Sequence, residues 1–184
     1  EDQIADSVKA DLDMYEILPN NAGYDSFGKG TIGYALSRKM YNRCPVPVDA
    51  GAQPTKRPVR SDLFIFDEIK RERRLKRCDE HFSKFITEMW FSVRYLIEAE
   101  QMRELPEDVM MEGCWREYET VAGNKLEVEP KADMRERTNK SPDLFDWLAG
   151  IVEMARRAGF QIAKLGNVEE NPKHEPSWWE LEAQ

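Results

Sequence analysis

From Phe82 to Ile97 the apolar residues Phe82, Phe85, Ile86, Met89, Trp90, Val93, Leu96 and Ile97 follow the i, i+3, i+4, i+7 series. That spacing predicts a helix over about 80–100 with one broad apolar stripe, and such a stripe must be covered by a sheet or another helix. A chain of 184 residues can bury a proper core in one or two domains. No apolar run approaches the roughly 20 residues a spanning helix needs. The start, Glu1-Asp2-Gln3, has no leader pattern. Cys44, Cys78 and Cys114 are scattered, and His81 and His174 are the two histidines. A disulfide scaffold and a zinc site are both disfavoured, and a reducing, intracellular compartment is expected.

Other segments fill in around the stripe. Ile4, Val8, Leu12 and Tyr15 predict a helix over 2–16, closed by Pro19-Asn20-Asn21. A short extended piece, 22–25, leads into Gly28-Lys29-Gly30, and Ile32, Ala35, Leu36 and Met40 predict a helix over 31–42. Residues 45–49 read as a short strand whose prolines suit an edge or a strand end. Residues 50–61 read as a loop, and Leu63-Phe64-Ile65-Phe66 as the start of a strand or a helix. Between Val109 and Val128 two extended segments flank the turn Ala122-Gly123-Asn124. A last helix is expected to open with Ser141 as cap and Pro142 at the first helical position, to run through the apolar positions Leu144, Leu148, Ile151, Val152 and Ala155, and to stop at Gly159. Strands alternating with helices indicate an α/β fold with an attached hairpin.

Charge is unevenly placed. Lys and Arg number 27 against 35 Asp and Glu, a net charge of −8. Yet residues 56–77 hold nine basic and four acidic groups, while 1–18 hold six acids and one Lys, and 167–184 five acids and one Lys. A wholly nucleic-acid-coating surface is excluded, but a local basic face is not.

Three constellations could carry chemistry. Gly28, Gly30 and Gly33 match G-x-G-x-x-G, and Asp49 stands 21 residues after Gly28, where a dinucleotide site wants its ribose acid. The polar segment before it is a poor buried strand, and a tight strand-to-helix turn is the better account of the glycines. Asp143 and Asp146 share one face of a helix's first turn, where the macrodipole favours ionised carboxylates suited to a hard cation. Asp25, at the end of an extended segment, could converge with them on one metal, an arrangement used in phosphodiester hydrolysis. The run Lys70, Arg71, Arg73, Arg74, Lys76 and Arg77 is either a solvated face or a contact for a phosphate backbone.

Five segments occur in a familiar order: Tyr24-Asp25-Ser26-Phe27-Gly28-Lys29-Gly30; Phe82 to Arg94; Leu105-Pro106-Glu107-Asp108; Glu129 to Arg137; and Lys140-Ser141-Pro142-Asp143-Leu144-Phe145-Asp146. In that order they resemble the C-terminal nuclease domain of the large terminase subunit of tailed bacteriophages, over about residues 2–160. The resemblance implies a ribonuclease H-like α/β fold, with a mixed central sheet flanked by helices, over residues 1–166, followed by an acidic tail at 167–184. It implies a metal-dependent endonuclease that cuts concatemeric double-stranded DNA with two Mg²⁺ or Mn²⁺ ions. Asp25, Asp143 and Asp146 would be catalytic and metal-binding; Lys131 and the basic run would contact DNA. The implied partners are an ATPase domain of the same parent chain, the portal and the small terminase subunit, in the host cytoplasm during virion assembly and with no membrane.

The departures from the family pattern are the bulky Phe145 and Trp147 after the Ser-Pro-Asp motif, a long 51–78 segment, and a first helix where the fold's opening strands and first acid should come. The last predicts an N-terminally incomplete domain that alone cleaves weakly or not at all. Two other readings compete: a non-catalytic docking module of the packaging motor that uses the tail and Trp178-Trp179, and the dinucleotide-binding domain.

Overall fold

A computed structural model describes residues 1–26, 31–41 and 45–163. Gly28 and Gly30, Cys44, and the 167–184 segment with Trp178-Trp179 lie outside the described residues. Helix α1 (Asp2–Met14) and helix α2 (Thr31–Lys39) pack through Ala5, Leu12, Ala35, Leu36 and Met40 into a small core of their own. Strand β1 (Gly23–Asp25) precedes α2 and strand β2 (Val46–Val48) follows it, and the two strands pair in parallel, Tyr24 opposite Pro47. This βαβ unit aims the C-terminal ends of both strands at one place. Pro47 has no N–H to give a further neighbour, which makes β2 an edge, as its prolines predicted.

After β2 the chain forms a loop and a hairpin, β3 (Phe64–Asp67) with β4 (Glu72–Leu75), antiparallel with Ile65 opposite Arg74. The basic run therefore lies on a hairpin, not on a helix face. The short helix α3 (Cys78–His81) ends at Phe82, and helix α4 occupies Phe85–Glu98. The helix expected over 80–100 is thus interrupted. Phe82 is extended and bridges to Leu126, and the Ser83 N–H donates to the Leu126 carbonyl at 3.0 Å. Strand-like pairing overrides the helical spacing at that point. Helix α4 is buried nearly all round, including Thr87, Glu88 and Ser92 besides the expected stripe.

Residues Glu107–Trp115 form helix α5, not the extended segment expected there. Its seat on the last helix depends on Gly113, where a Cβ would lie 2.3 Å from the Phe145 ring. Strands β5 (Tyr118–Val121) and β6 (Lys125–Val128) make the expected hairpin, with Gly123 in the left-handed region at φ +76°. Helix α6 (Lys131–Thr138) then leads to helix α7 (Asp143–Arg157). The cap position of α7 is Pro142; Ser141 donates instead to the Asp143 carboxylate at 2.8 Å. The phase of α7 also differs from expectation. Phe145, Leu148, Ala149 and Val152 are buried, while Leu144 and Ile151 are largely exposed.

Among the described residues the strands fall into three two-stranded sheets, one parallel and two antiparallel, with helices against them, rather than into one continuous mixed sheet. The main core lies where α4 crosses α7, around Phe82, Phe85, Met89, Trp90, Val93, Phe145, Leu148 and Val152. None of the described helices is long and apolar enough to cross a membrane.

Candidate functional site

Asp25 is the last residue of β1, and Asp146 sits one turn into α7. Although 121 positions separate them in sequence, both line one open cavity of about 560 Å³. Its other walls include Ala50 and Gly51 after β2, Lys84 at the start of α4, Arg116 before β5 and Lys131 at the start of α6. The cavity lies beyond the C-terminal ends of the parallel pair, where open α/β sheets place their ligands.

Three groups hold the Asp146 carboxylate, and a fourth backs one of them. The Trp90 indole Nε1–H donates to Oδ1 at 2.8 Å, and Arg116 Nη1 lies 3.4 Å from the same oxygen. Lys131 Nζ donates to Oδ2 at 2.9 Å, and Phe145 packs against the Trp90 ring at 4.4 Å between centroids. The bulky Phe145 is therefore a support behind the acid. Trp147, by contrast, is exposed.

Lys131 also donates to Asp143 Oδ1 at 2.7 Å and so bridges the two acids of the first turn. The Asp143 carboxyl is lowered by its bond to Lys131 and then by Ser141. Partial burial pulls the Lys131 ammonium down, but the bonds to Asp143 and Asp146 outweigh it and leave it raised. Lys131, expected on DNA, is thus bonded to the predicted metal acids. Asp143 is mostly exposed and is not among the residues lining the cavity.

Among the described residues no three His, Cys, Asp or Glu side chains cluster closely enough to hold a metal ion. The cavity therefore offers two carboxylates, Asp25 and Asp146. Magnesium keeps several waters and is commonly held by one or two carboxylates, so this donor set fits a hard divalent cation.

The predicted basic contacts divide. Arg74 is bonded to Asp67 at 3.0 Å and to Glu80, whose carboxyl falls to about 2 chiefly through that bond. Arg77 is bonded to Asp79 at 2.9 Å. Arg74 is spent on holding the hairpin and Arg77 on the start of α3, and Lys76 is half-buried. Lys70, Arg71 and Arg73 remain exposed, with Arg73 over the Phe64 ring at 5.1 Å. Leu75 of this hairpin lines a second cavity with Arg156 and Gly159, beyond the far end of α7 from Asp146. At 1.5 Å of rise per residue the two sites lie roughly 15–20 Å apart along the helix.

The glycine motif has a packing role where it is described. A Cβ on Gly33 would lie 2.3 Å from the Tyr24 hydroxyl, so Gly33 makes room for the β1 tyrosine. Asp49 accepts a bond from the Gly51 N–H at 2.9 Å, in the loop that walls the cavity.

Sequence reasoning missed two groups. Trp90 and Arg116 had not been assigned to the site, although an indole within an apolar stripe always needs an acceptor. It also missed a buried ionic cluster. Glu88, fully buried, accepts from Arg57 Nη2 at 2.9 Å and from Thr55 N and Oγ1 at 2.6 and 2.7 Å. Arg57 also reaches Glu153 at 2.5 Å, and Arg156 lies 3.6 Å from Glu88 while donating to Ser92 and to the Pro58 carbonyl. The available signal was a lone acid, Glu88, inside an apolar helix.

No protein-family profile matches the chain, and no curated protein matches it. A search of solved structures finds the mutant nuclease domain of the large terminase subunit gp2 of bacterial virus Sf6, determined with manganese and beta-thujaplicinol. The TM-score is 0.54 at 12% identity, over 82% of this chain and 71% of that one. At this identity the likeness concerns the fold: α/β, ribonuclease H-like, with small sheets flanked by helices.

Proposed function

We propose that the chain is a metal-dependent nuclease domain, and more specifically the endonuclease of a viral DNA-packaging terminase. The observation that carries this reading is the convergence of Asp25 and Asp146 on one cavity, in a fold similar to a terminase nuclease domain. Asp25 and Asp146 would hold Mg²⁺ or Mn²⁺, with Asp143 beside them. A bound cation there would polarise a phosphoryl oxygen and make an attacking water more acidic.

The chain's own residues prepare that chemistry. Trp90 and Lys131 fix the two oxygens of Asp146, so its carboxylate meets a ligand in one orientation. The Lys131 ammonium bridges Asp143 and Asp146 and offsets the repulsion between two acids one turn apart. The exposed Lys70, Arg71 and Arg73 of the β3–β4 hairpin would contact the DNA backbone away from the cut, a role that suits their distance from the cavity. The substrate in this reading is concatemeric double-stranded DNA. The partners are the ATPase domain of the parent chain, the portal and the small terminase subunit.

Manganese titration read by thermal unfolding, together with plasmid nicking, tests the proposal. Manganese at about 100 times its dissociation constant should stabilise the wild type by roughly 2.7 kcal/mol. Asp25→Asn and Asp146→Asn should lose that gain, and nicking by the parent chain should fall by about a thousandfold or more, ~4 kcal/mol of barrier. A second reading, a non-catalytic docking module of the motor, is favoured by the lack of a three-acid cluster among the described residues. It predicts no stabilisation by manganese, and that result would remove the nuclease reading.

A further inference from the structure

Arg116 is the buried cation of the cavity with the least compensation. Its side chain is 4% exposed, yet it lines the cavity with Asp25, Asp146, Lys84 and Lys131. The two lysines have close carboxylate partners: Lys84 is bonded to Glu127, and Lys131 to Asp143 and Asp146. Arg116 has none as near. Its Nε donates to the Glu129 main-chain carbonyl at 2.8 Å, and its Nη1 stands 3.4 Å from Asp146, at the outer limit of a hydrogen bond. The Glu129 carboxylate, which could have neutralised it, is engaged by Arg137 and the Glu117 N–H. Burial accordingly dominates over the Asp146 and Glu129 charges and lowers the guanidinium's proton affinity.

The plane of this group is fixed from two sides. Its Nε bond ties it to the chain before α6, and its guanidinium carbon lies 4.6 Å from the centre of the Trp90 ring. A guanidinium seated over an indole and tied at Nε is restricted in how it can turn, and its terminal donors suit two oxygens of a phosphate. We propose that Arg116 is the phosphate anchor of the cavity, donating to non-bridging oxygens of the phosphodiester that lies against Asp25 and Asp146. The identity of that phosphate as DNA rests on the nuclease reading; the need of the site for an anion rests on Arg116 itself.

The experiment is equilibrium binding of a short fluorescent DNA duplex, by anisotropy across a salt series with Ca²⁺ in place of the catalytic ion, for wild type, Arg116→Gln and Arg116→Lys. Arg116→Gln should weaken binding by about 10- to 100-fold and reduce the log–log salt slope by about one. Its Mn²⁺ affinity, read by thermal shift, should fall by less than its duplex affinity, because Arg116 reaches Asp146 only at 3.4 Å. Arg116→Lys should keep most of the slope while losing affinity, because the charge remains and the fork does not; this variant carries the test if the glutamine protein fails to fold. Wild-type affinity and slope in the variant that folds overturn the assignment, whether or not the protein cleaves. Loss of binding in Arg116→Gln, beside a wild type that binds duplex but is not stabilised by manganese, keeps the anchor and removes the nuclease reading. A wild type that binds no duplex removes both.

Discussion

Helices α4 and α7 carry two ionic clusters, and the clusters have opposite designs. At one, Glu88 and Glu153 meet Arg57, Arg156 and Arg157, with Glu88, Glu153 and Arg156 buried. Thr55, Ser92 and the Pro58 carbonyl take up further bonds. At the other, seven residues back along α7 and about 10 Å away, Asp146 meets Trp90, Arg116 and Lys131 at the wall of an open cavity shared with Asp25. The first cluster is closed in that each of its two acids is paired to two arginines, although Arg57 and Arg156 also edge the second cavity. The second leaves a carboxylate and a guanidinium facing a space large enough for a ligand. Charges that satisfy one another at short range tie elements together; a guanidinium held at 3.4 Å from its carboxylate at a cavity wall is available for binding.

The largest effect that could break this contrast is in stability. Glu88→Ala leaves the buried Arg156 and the half-buried Arg57 with Glu153, already shared with Arg157, as the remaining acid, and should cost about 3–5 kcal/mol. Asp146→Ala removes an acid that borders a cavity, where water can replace its bonds, and should cost about 1 kcal/mol or less. Urea unfolding of the two variants side by side measures the difference. Equal costs would mean that the open cluster is as structural as the closed one.

A smaller effect sharpens the role of the open cluster. Trp90→Phe keeps a ring against Phe145 but deletes the donor to Asp146, so the carboxylate loses one of its fixed orientations. Manganese affinity should fall by roughly 10-fold or more, as expected for the partner of a ligating group. The melting temperature without metal should fall far less than in Glu88→Ala. Isothermal titration with Mn²⁺ reads the first quantity; an unchanged affinity would place Trp90 in the core alone.

The two clusters also differ in how far the sequence announced them. Asp25 and Asp146 were legible because local pattern marks them: one ends an extended segment, the other lies in the first turn after Ser141-Pro142. The closed cluster was not, since Arg57 lies 31 residues from Glu88 and 96 from Glu153, and no local pattern links a loop arginine to two helices. The same division holds for the fold. The βαβ unit and the β5–β6 hairpin follow from short-range signals. Helix α5 escaped because it buries little beyond Val109 and owes its seat to Gly113 meeting Phe145. The break at Phe82 escaped because its cause, the pairing with Leu126, lies 44 residues away.

The pH dependence separates the two ends more finely. His81 packs beside the closed end, next to Cys78, whose thiol burial pushes up to about 12. Its Nε2 lies 3.1 Å from the Tyr95 hydroxyl, and its buried Nδ1 has no hydrogen-bond partner among the described residues. Burial first, then the charges of Lys76 and Arg60, lower its pKa from 6.5 to about 4. An unfolded chain therefore takes up a proton between those values that the folded chain refuses. The stability this represents is fully present above pH 6.5 and is lost as pH falls toward 4. At the open cluster the lowered group is Asp143, whose contribution persists down to its ordinary 3.8 and disappears only below it. Melting temperature followed from pH 6.5 to 4 should fall in the wild type and fall less in His81→Gln, while Asp143→Asn should follow the wild-type slope throughout that window. A slope that flattens in Asp143→Asn instead would assign the acid sensitivity to the open cluster and reverse the comparison.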